Sequence, residues 1–390
     1  MFILVLFMFG LSFGIGIEEA MKTALENSPE IKALEEELKV FDGMELSAGA
    51  FPNPEVRLES GFITNDKDGK PKGRAFNLME FDQPIPLWGV RSKGRAVVSE
   101  EREAFKNFAE AKKGEILARV YRSFYRALTN REILRIQREN LKIAQEVEEF
   151  VKKAYNLGEV TELELLRARR EKDFALLQVN IASSEYKASL KELSALLAKE
   201  VNEVEGALDT QLYAREVDID TLPSVLNLRK RIEAFRKRIE LEKALAKPSV
   251  KLGFVVEDSE EGYYGLRGSL SFDIPVFYRR QGEILQHLYR KQTLTKRLQA
   301  EINRLTGQLA SAKIRLRTLQ EELRRLENIV IPSAREELEL ALRSYRLRVI
   351  SLLELSDVRR RYYELLVKRA QLLMSMHEVY AKLIEIGGWR

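Results

Sequence analysis

The chain has 390 residues, of which 32% are charged, yet its formal net charge is only +5. So small a charge, with no block of Lys or Arg, argues against nucleic acid as a partner. The chain contains no cysteine, which excludes a disulfide framework, a thiolate metal site and a lipid-modified N-terminal cysteine.

The first predicted element is a signal peptide at residues 1–16. The apolar run that begins at Met1 is too short to cross a bilayer comfortably. Gly14 and Gly16 then stand two residues apart, as small residues do at a signal-peptidase site. Because the run is preceded by no Lys or Arg, a buried apolar N-terminal segment is the alternative interpretation.

The first structural repeat is predicted at residues 17–210. It begins with a helix at about 18–49, continues with a β-hairpin at about 53–87, and ends with long helices that turn back near 155–162. No proline lies between Pro86 and Pro223, and proline costs about 3 kcal/mol inside a helix. Near-heptad spacing of apolar residues in this stretch predicts a coiled-coil seam: Ile133, Ile136, Ile143, Val147 and Val151.

The predicted strands alternate between apolar and polar residues. In the first hairpin Val56, Leu58 and Phe62 alternate with Glu55, Arg57 and Glu59. This dyad pattern is typical of a transmembrane barrel with a wet lumen, and the alternative is a half-buried hairpin in a soluble sheet. The second strand slips in phase between Leu78 and Met79, which predicts a β-bulge there.

The turn near 155–162 carries signals that end one helix and begin the next. Gly158 accepts the left-handed conformation that ends a helix. Thr161 is then the expected N-cap, with Glu164 as the third residue of a capping box. Ser351 and Glu354 repeat this arrangement in the second half of the chain.

A second structural repeat, at 211–390, has the same order of parts. A helix at about 223–246 precedes a β-hairpin at about 249–276, and the helices turn near 345–352. The segment Ser28–Leu58 aligns without gaps on Leu222–Leu252, at a constant offset of 194. The same order of parts in both halves, together with this gapless alignment, indicates a tandem duplication of one unit.

The hairpins predict an oligomer. Four strands cannot close a barrel around a lumen, and a bilayer tolerates no open sheet edge. Three copies would supply twelve strands and a pore, whereas two copies would give eight strands and a plugged barrel. Trp88, Phe277 and Tyr278 would form an interfacial aromatic girdle, although Trp88 is also interpretable as a packing anchor. The predicted fold class is mainly α, with long coiled-coil hairpins forming an α-barrel and four transmembrane strands per chain contributing a membrane β-barrel portion, trimeric.

Several motifs resemble one known family. They are Tyr-x-x-Gly-x-x-Thr-x-x-x-Leu-Leu at Tyr155–Leu166, its twin at Tyr345–Ser356, and Pro-Ile-Pro-Leu-Trp-Gly at Pro84–Gly89. In these motifs the chain resembles the TolC-like outer-membrane efflux family. The resemblance implies a trimer that joins a twelve-stranded barrel to a periplasmic helical tunnel. It also implies that an inner-membrane pump delivers substrate through a periplasmic adaptor.

The resemblance also implies functional residues. The adaptor-docking tips map to Leu157, Gly158, Val160, Thr161, Leu347, Arg348, Ile350 and Ser351. The acidic gate maps to Glu354 and Asp357, with Glu164 and Tyr345 as latch candidates. Three residues apart on a helix, Glu354 and Asp357 share a face. Arg348 stands where the family has a glycine, so we expect two unequal docking grooves.

The predicted function is a passive exit duct in the outer membrane, with a long periplasmic helical domain. The implied partners are two further copies in a homotrimer, a periplasmic adaptor (membrane fusion protein), an inner-membrane pump of the RND or ABC type, and outer-membrane lipid, with no nucleic acid. Small molecules and metal ions are the first candidates for transport, because the chain also resembles the heavy-metal branch of the efflux family. Type I protein secretion is the alternative, and a soluble periplasmic coiled-coil scaffold or adaptor is a further one.

An enzyme is not expected, and neither is a cofactor or a resident metal. The sequence contains no Gly-rich phosphate loop and no nucleophile elbow. Its two histidines, His287 and His377, lie in helical runs far apart in sequence. Both are interpreted as surface residues rather than as ligands or bases.

Overall fold

The computed structural model describes residues 14–65, 68, 71–208, 210–213, 216–258 and 264–387. In these ranges the chain is mostly helical with one antiparallel sheet, as the predicted fold class requires. The helices are α1 Ile17–Asn27, α2 Pro29–Gly49, α3 Val90–Asn156, α4 Glu162–Leu197, α5 Pro223–Leu245, α6 Gln281–Arg325, α7 Ile331–Arg346 and α8 Leu352–Gly387. The strands are β1 Glu55–Asn65, β2 Pro71–Ile85, β3 Ser249–Asp258 and β4 Tyr264–Asp273.

The N-terminal region differs from its prediction in one respect. The helix expected at about 18–49 is broken at Ser28, whose ψ of 120° is not helical. A residue before proline is pushed out of the helical region by the proline ring, and Pro29 therefore begins a new helix. Residues 1–13 of the predicted signal peptide lie outside the described residues. Ile15 lies within them, buried and bridged to Val204.

The four strands form one sheet in the order β1-β2-β3-β4, with every neighbouring pair antiparallel. Its register aligns the apolar residues of all four strands on one face. In one cross-strand row Leu58 pairs with Met79, Met79 with Val256, and Val256 with Leu266. The opposite face carries ion pairs such as Arg57–Glu80 at 3.1 Å.

The predicted bulge at Leu78 and Met79 is wrong. Both residues keep a regular register with β1 and with β3, and the irregularity of the first hairpin lies instead between Ile63 and Asn65. Regular pairing places Leu78 and Met79 on opposite faces. The sequence slips in phase because Leu78 is an apolar residue on the charged face, which does not require an extra residue.

Contacts divide the chain into two units. The first contains residues 1–33, 109–222 and 304–390, and the second contains 34–108 and 223–303. Each unit includes segments of both predicted repeats. Among the described residues, no helix is both long enough and apolar enough to span a bilayer.

The core of the first unit lies where α1, α3, α4 and α8 meet. Its largest fully buried side chains include Met21, Tyr121, Phe124 and Leu193. Burying an apolar side chain of this size contributes roughly 1.5–3 kcal/mol, so the core fixes the four helices against one another. A second cluster packs Leu212, in the segment after α4, against α6 and α8.

A π-helical turn at Leu326–Val330 joins α6 to α7. The N–H of Ile331 bonds to the carbonyl of Leu326, five residues earlier. Pro332 follows and has no N–H to give to the carbonyl of Asn328. The wide turn therefore occurs where a regular helix would lose a hydrogen bond.

The second unit contains the sheet and packs α2 and α5 against the adjoining part of α3. Phe41 of α2 lies 5.5 Å from Phe105 of α3, measured between ring centroids. Arg102 pairs with Asp42 at 3.0 Å, and Asn227 of α5 donates to the carbonyl of Ala104 at 2.6 Å. These contacts hold α2 and α5 against α3.

Candidate functional site

The turn between α3 and α4, here called tip 1, has the predicted caps. Gly158 is left-handed at φ 72°, and the N–H of Glu159 bonds to the carbonyl of Ala154 at 2.9 Å. This six-to-one bond defines a Schellman motif. Thr161 is the N-cap of α4, and its hydroxyl accepts from the N–H of Glu164 at 3.3 Å.

The turn between α7 and α8, here called tip 2, repeats this geometry without a glycine. Arg348 is left-handed at φ 62°, and the N–H of Val349 bonds to the carbonyl of Ser344 at 2.8 Å. Left-handed geometry costs an L-residue roughly 1–2 kcal/mol. Tip 2 therefore has the same backbone conformation as tip 1, but at an energetic cost, because its left-handed residue is not a glycine.

The side chain of Arg348 reaches across to tip 1. One guanidinium N–H donates to the backbone carbonyl of Glu159 at 3.2 Å, and a second donates to its carboxylate. Glu159 is the residue directly after Gly158, at the left-handed turn of tip 1. The two tips are thus joined at their turns as well as through their core.

The core beneath the tips contains the latch candidate Tyr345. It is buried with Val151, Leu165 and Leu355, and its ring meets Phe150 edge-on at 5.8 Å. Burial, together with the nearby carboxylate of Glu164, raises the pKa of Tyr345 to about 12. Its hydroxyl is therefore neutral at physiological pH.

Both tips expose apolar side chains at their ends. Leu157 is 74% exposed in tip 1, and Leu347 and Val349 are 76% and 73% exposed in tip 2. Val160 and Ile350 are half-buried beneath them and pack against the core. Exposed apolar clusters rimmed by charge mark protein interaction sites.

The gate candidate Glu354 is exposed and caps α8. Its carboxylate accepts from the N–H of Ser351 at 2.7 Å and from its hydroxyl at 2.8 Å, while Ser351 accepts from the N–H of Glu354. The predicted capping box is therefore complete in tip 2. These hydrogen bonds from Ser351 hold the pKa of Glu354 below its usual value.

The gate candidate Asp357 lies one turn further along α8. It pairs with Arg360 at 2.6 Å and with Arg361 at 2.8 Å. These two arginines were readable from the sequence, because i, i+3 and i, i+4 spacing brings an acid and a base together on one helix face. Together with Glu159, they are the residues near the tips that sequence reasoning missed.

The three girdle aromatics follow the ends of β2 and β4. Trp88 donates its indole N–H to the carbonyl of Pro248 at 2.8 Å and lies under the ammonium of Lys247 at 4.6 Å. Phe277 is 97% exposed, and Tyr278 donates to Glu283 at 2.8 Å. Trp88 thus combines a packing role with partial exposure.

The interpretation of both histidines as surface residues is wrong. His377 is fully buried, with its ring stacked 3.6 Å from that of Tyr125 and its Nδ1 within 2.8 Å of the Tyr121 hydroxyl. The side chain of His287 is 14% exposed beside Glu242, and burial lowers its pKa. Helical periodicity alone did not predict these sites, because the aromatic partners of His377 lie about 250 residues away in sequence.

The chain matches the sequence model for outer membrane efflux proteins over residues 20–199. It is 21% identical over 384 residues to the cobalt-zinc-cadmium resistance protein CzcC of Cupriavidus metallidurans, covering 95% of this chain and 90% of CzcC. It is 22% identical over 414 residues to the pyoverdine export outer membrane protein OpmQ of Pseudomonas putida, covering 96% of this chain and 86% of OpmQ.

The fold is that of solved outer-membrane channels. The structure of CusC superposes with a TM-score of 0.80 at 15% identity, covering 97% of this chain and 94% of CusC. That structure was determined in connection with folding and transmembrane channel formation.

Proposed function

We propose that this chain, which matches the sequence model for outer membrane efflux proteins over residues 20–199, forms the exit duct of a tripartite efflux system. It is an outer-membrane channel component with a periplasmic helical part. The observation that carries the proposal is the likeness to a channel fold over 97% of a chain that contains both a four-stranded sheet and paired tips. The role of this family is transport, and the duct would take its energy from the pump.

Membrane fractionation and electrical recording test this role together. We expect the mature chain in the outer-membrane fraction, released only by detergent, and conducting in planar bilayers after purification. Recovery as a soluble periplasmic protein without detergent would contradict the proposal and favour the scaffold alternative.

We propose a homotrimer in which twelve strands close one barrel. The apolar face of the sheet supports this, because Leu58, Leu266 and Phe272 are 74%, 75% and 58% exposed on the chain. Lipid would cover that face, with Trp88, Phe277 and Tyr278 at the membrane interface. Each chain would contribute its two duplicated halves, 17–210 and 211–390, so the trimer would contain six near-equivalent units. Native mass spectrometry in detergent should give the mass of a trimer, and a dimer would contradict the proposal.

We propose that the two tips dock a periplasmic adaptor. Their contact surface is Leu157, Gly158, Val160 and Thr161 in tip 1 and Leu347, Arg348, Ile350 and Ser351 in tip 2. The exposed leucines supply apolar contact, and the left-handed turns allow close approach of the backbone. The Arg348 side chain makes the tip 2 groove more polar than the groove at Gly158.

We propose that Glu354 and Asp357 form the gate, with Glu164 and Tyr345 as its latch. In a trimer, threefold rings of carboxylates would attract cations, as they do in channels. The pairing of Asp357 with two arginines weakens its share of that field. Glu354 would therefore be the stronger cation-binding member of the pair.

We propose metal ions or small organic molecules as the cargo, moved by an inner-membrane pump of the RND or ABC type. The support is the full-length similarity to a cobalt-zinc-cadmium resistance protein and to a pyoverdine export protein. Deletion of the gene should raise cellular zinc, cobalt or cadmium after metal challenge. Unchanged metal with increased retention of an organic compound would move the assignment to organic cargo.

A further inference from the structure

A cavity of about 620 Å³ lies within the first unit, between α3, α4 and α8. Ligand-binding pockets in proteins span roughly 300–1,000 Å³, so the cavity is large enough for a small organic molecule. It lies further from the turns than the tip residues described above, and none of the gate or docking residues lines it. We call it the inter-helix cavity.

A buried guanidinium forms part of its wall. Arg359 of α8 is only 6% exposed, and its one hydrogen bond among the described residues goes to Glu171 of α4 at 3.1 Å. A guanidinium has five N–H donors. A single carboxylate therefore leaves Arg359 with donor capacity for a second anion, which the planar group can bind in a bidentate manner.

Two buried acceptors on α3 also line the cavity. The side-chain oxygens of Gln137 and Asn140 are inaccessible and have no hydrogen-bond partner among the described residues. Buried polar atoms in folded proteins are almost always paired. The two residues are three positions apart on one helix and so face the same way. They call for a molecule with N–H or O–H donors.

The remaining walls provide charge and aromatic surface. Phe174 is half exposed, so its ring is open to a ligand, while Tyr363 is buried and belongs to the wall. Four cationic side chains oppose two carboxylates in the lining: Arg170, Arg359, Arg360 and Lys368 against Glu171 and Glu364. Arg360 is also paired with Asp357, which lies outside the lining, so the net excess is about one positive charge, and it favours an anion over a cation.

We propose that the inter-helix cavity binds an aromatic organic anion. Its acidic group pairs with Arg359 and its rings contact Phe174, while its donors bond to Gln137 and Asn140 once their buried amide oxygens turn towards the ligand. Nothing in this assignment depends on transport. It therefore stands or falls separately from the duct function.

The test uses two probes that differ by one charged group. 8-Anilinonaphthalene-1-sulfonate has two aromatic systems, an N–H donor and a sulfonate, whereas N-phenyl-1-naphthylamine lacks only the sulfonate. Each is titrated calorimetrically into the full chain in detergent, with the heat of micelles alone subtracted. We expect saturable binding of the sulfonate and about tenfold or weaker binding of the neutral probe, because a charge-assisted pair is lost.

Two pairs of variants locate the binding. Phe174→Ala should weaken the sulfonate about fivefold, from the loss of aromatic contact, while Leu177→Ala on the same helix, outside the cavity, should leave it unchanged. Arg359→Gln should abolish the preference for the sulfonate, and Arg361→Gln should preserve it. If Arg359→Gln fails to assemble, two comparisons still test the proposal. They are the affinities of Phe174→Ala and Leu177→Ala for the sulfonate, and the affinities of the unchanged chain for the two probes.

Three results would overturn the proposal. One is heat no greater than that of micelles, which would mean that the cavity holds only solvent. Another is equal affinity for the two probes, which would remove the anion from the assignment. The third is equal loss of affinity in Phe174→Ala and Leu177→Ala, which would place the binding elsewhere.

Discussion

Arg348 of tip 2 donates to both the backbone carbonyl and the carboxylate of Glu159 in tip 1. A residue with an unfavourable backbone conformation therefore supplies the hydrogen bonds that join the two turns. The ion pair is largely exposed, and exposed pairs contribute about 0–1 kcal/mol. The backbone cost and the pairing gain are of similar size.

Substitution of Arg348 separates these two effects. Arg348→Gly removes the backbone strain and the ion pair together, so we expect stability close to that of the wild type. Arg348→Ala removes the pair but keeps the strain, and should be about 1 kcal/mol less stable than the glycine variant. Urea unfolding followed by circular dichroism measures the difference. Equal midpoints for Ala and Gly would contradict strain at this position.

Gly158 provides a test of the left-handed turn in tip 1. A Cβ at this position would meet no atom within 4 Å, so only backbone conformation opposes a side chain. Gly158→Ala should destabilise the chain by about 1 kcal/mol. Gly307 is equally open but helical, and Gly307→Ala should instead stabilise it by about 0.5–1 kcal/mol. Changes of the same sign would be inconsistent with this explanation.

The exposed leucines of the tips should carry adaptor affinity. Leu157→Asp and Leu347→Asp place a carboxylate in an apolar contact, and each should weaken adaptor binding about tenfold or more. The measurement is surface plasmon resonance with the purified adaptor. Leu46→Asp is the matched control, because Leu46 is 75% exposed on α2 in the other unit. An equal loss in all three variants would argue against docking at the tips.

The gate assignment predicts altered ion block. Glu354→Gln combined with Asp357→Asn should raise conductance in planar bilayers and reduce block by multivalent cations, since the carboxylates are removed. Glu354→Gln alone should account for most of the change, because Asp357 is already paired with two arginines. Glu378→Gln, an exposed acid on the same helix, is the control. Unchanged currents and unchanged block in the double variant would discard the assignment.

Alkaline pH should weaken the core beneath the tips. Tyr345 ionises near pH 10 when unfolded but has a pKa of about 12 in the fold. Its neutral form therefore supports stability fully below pH 10, and that support is lost as the pH rises towards 12. Thermal melts between pH 9 and 12 should show a smaller decline for Tyr345→Phe than for the wild type. Parallel declines would show that Tyr345 does not contribute.

Regular periodicity made most of the fold predictable. Alternation along Glu55–Glu59 placed β1 and its apolar face correctly, because a strand has a two-residue repeat. The caps at Thr161 and Ser351 were predictable because helix ends need local acceptors. The break at Ser28 was not predicted. Pro29 was visible in the sequence, but the helical pattern on both sides of it predicted one continuous helix.

Other features depend on contacts between distant parts of the chain. Burial of His377 follows from Tyr121 and Tyr125, which no local pattern connects to it. The pairing of Arg348 with Glu159 likewise requires two turns to meet in space. For the gate and docking residues the sequence supplied positions by resemblance, and the structure adds their partners and exposure.

The π-helical turn at Leu326–Val330 sets the rotational phase of tip 2. One extra residue in a helix rotates everything after it by about 100°. The buried stripe of α7, Leu338, Ala341 and Tyr345, thus points inwards only with the wide turn in place. An ordinary α-helix of the same length would turn this stripe away from the core, whereas deletion of one residue together with the wide turn would leave the stripe in phase. A further single-residue insertion in this segment should therefore be selected against more strongly than deletion of one residue.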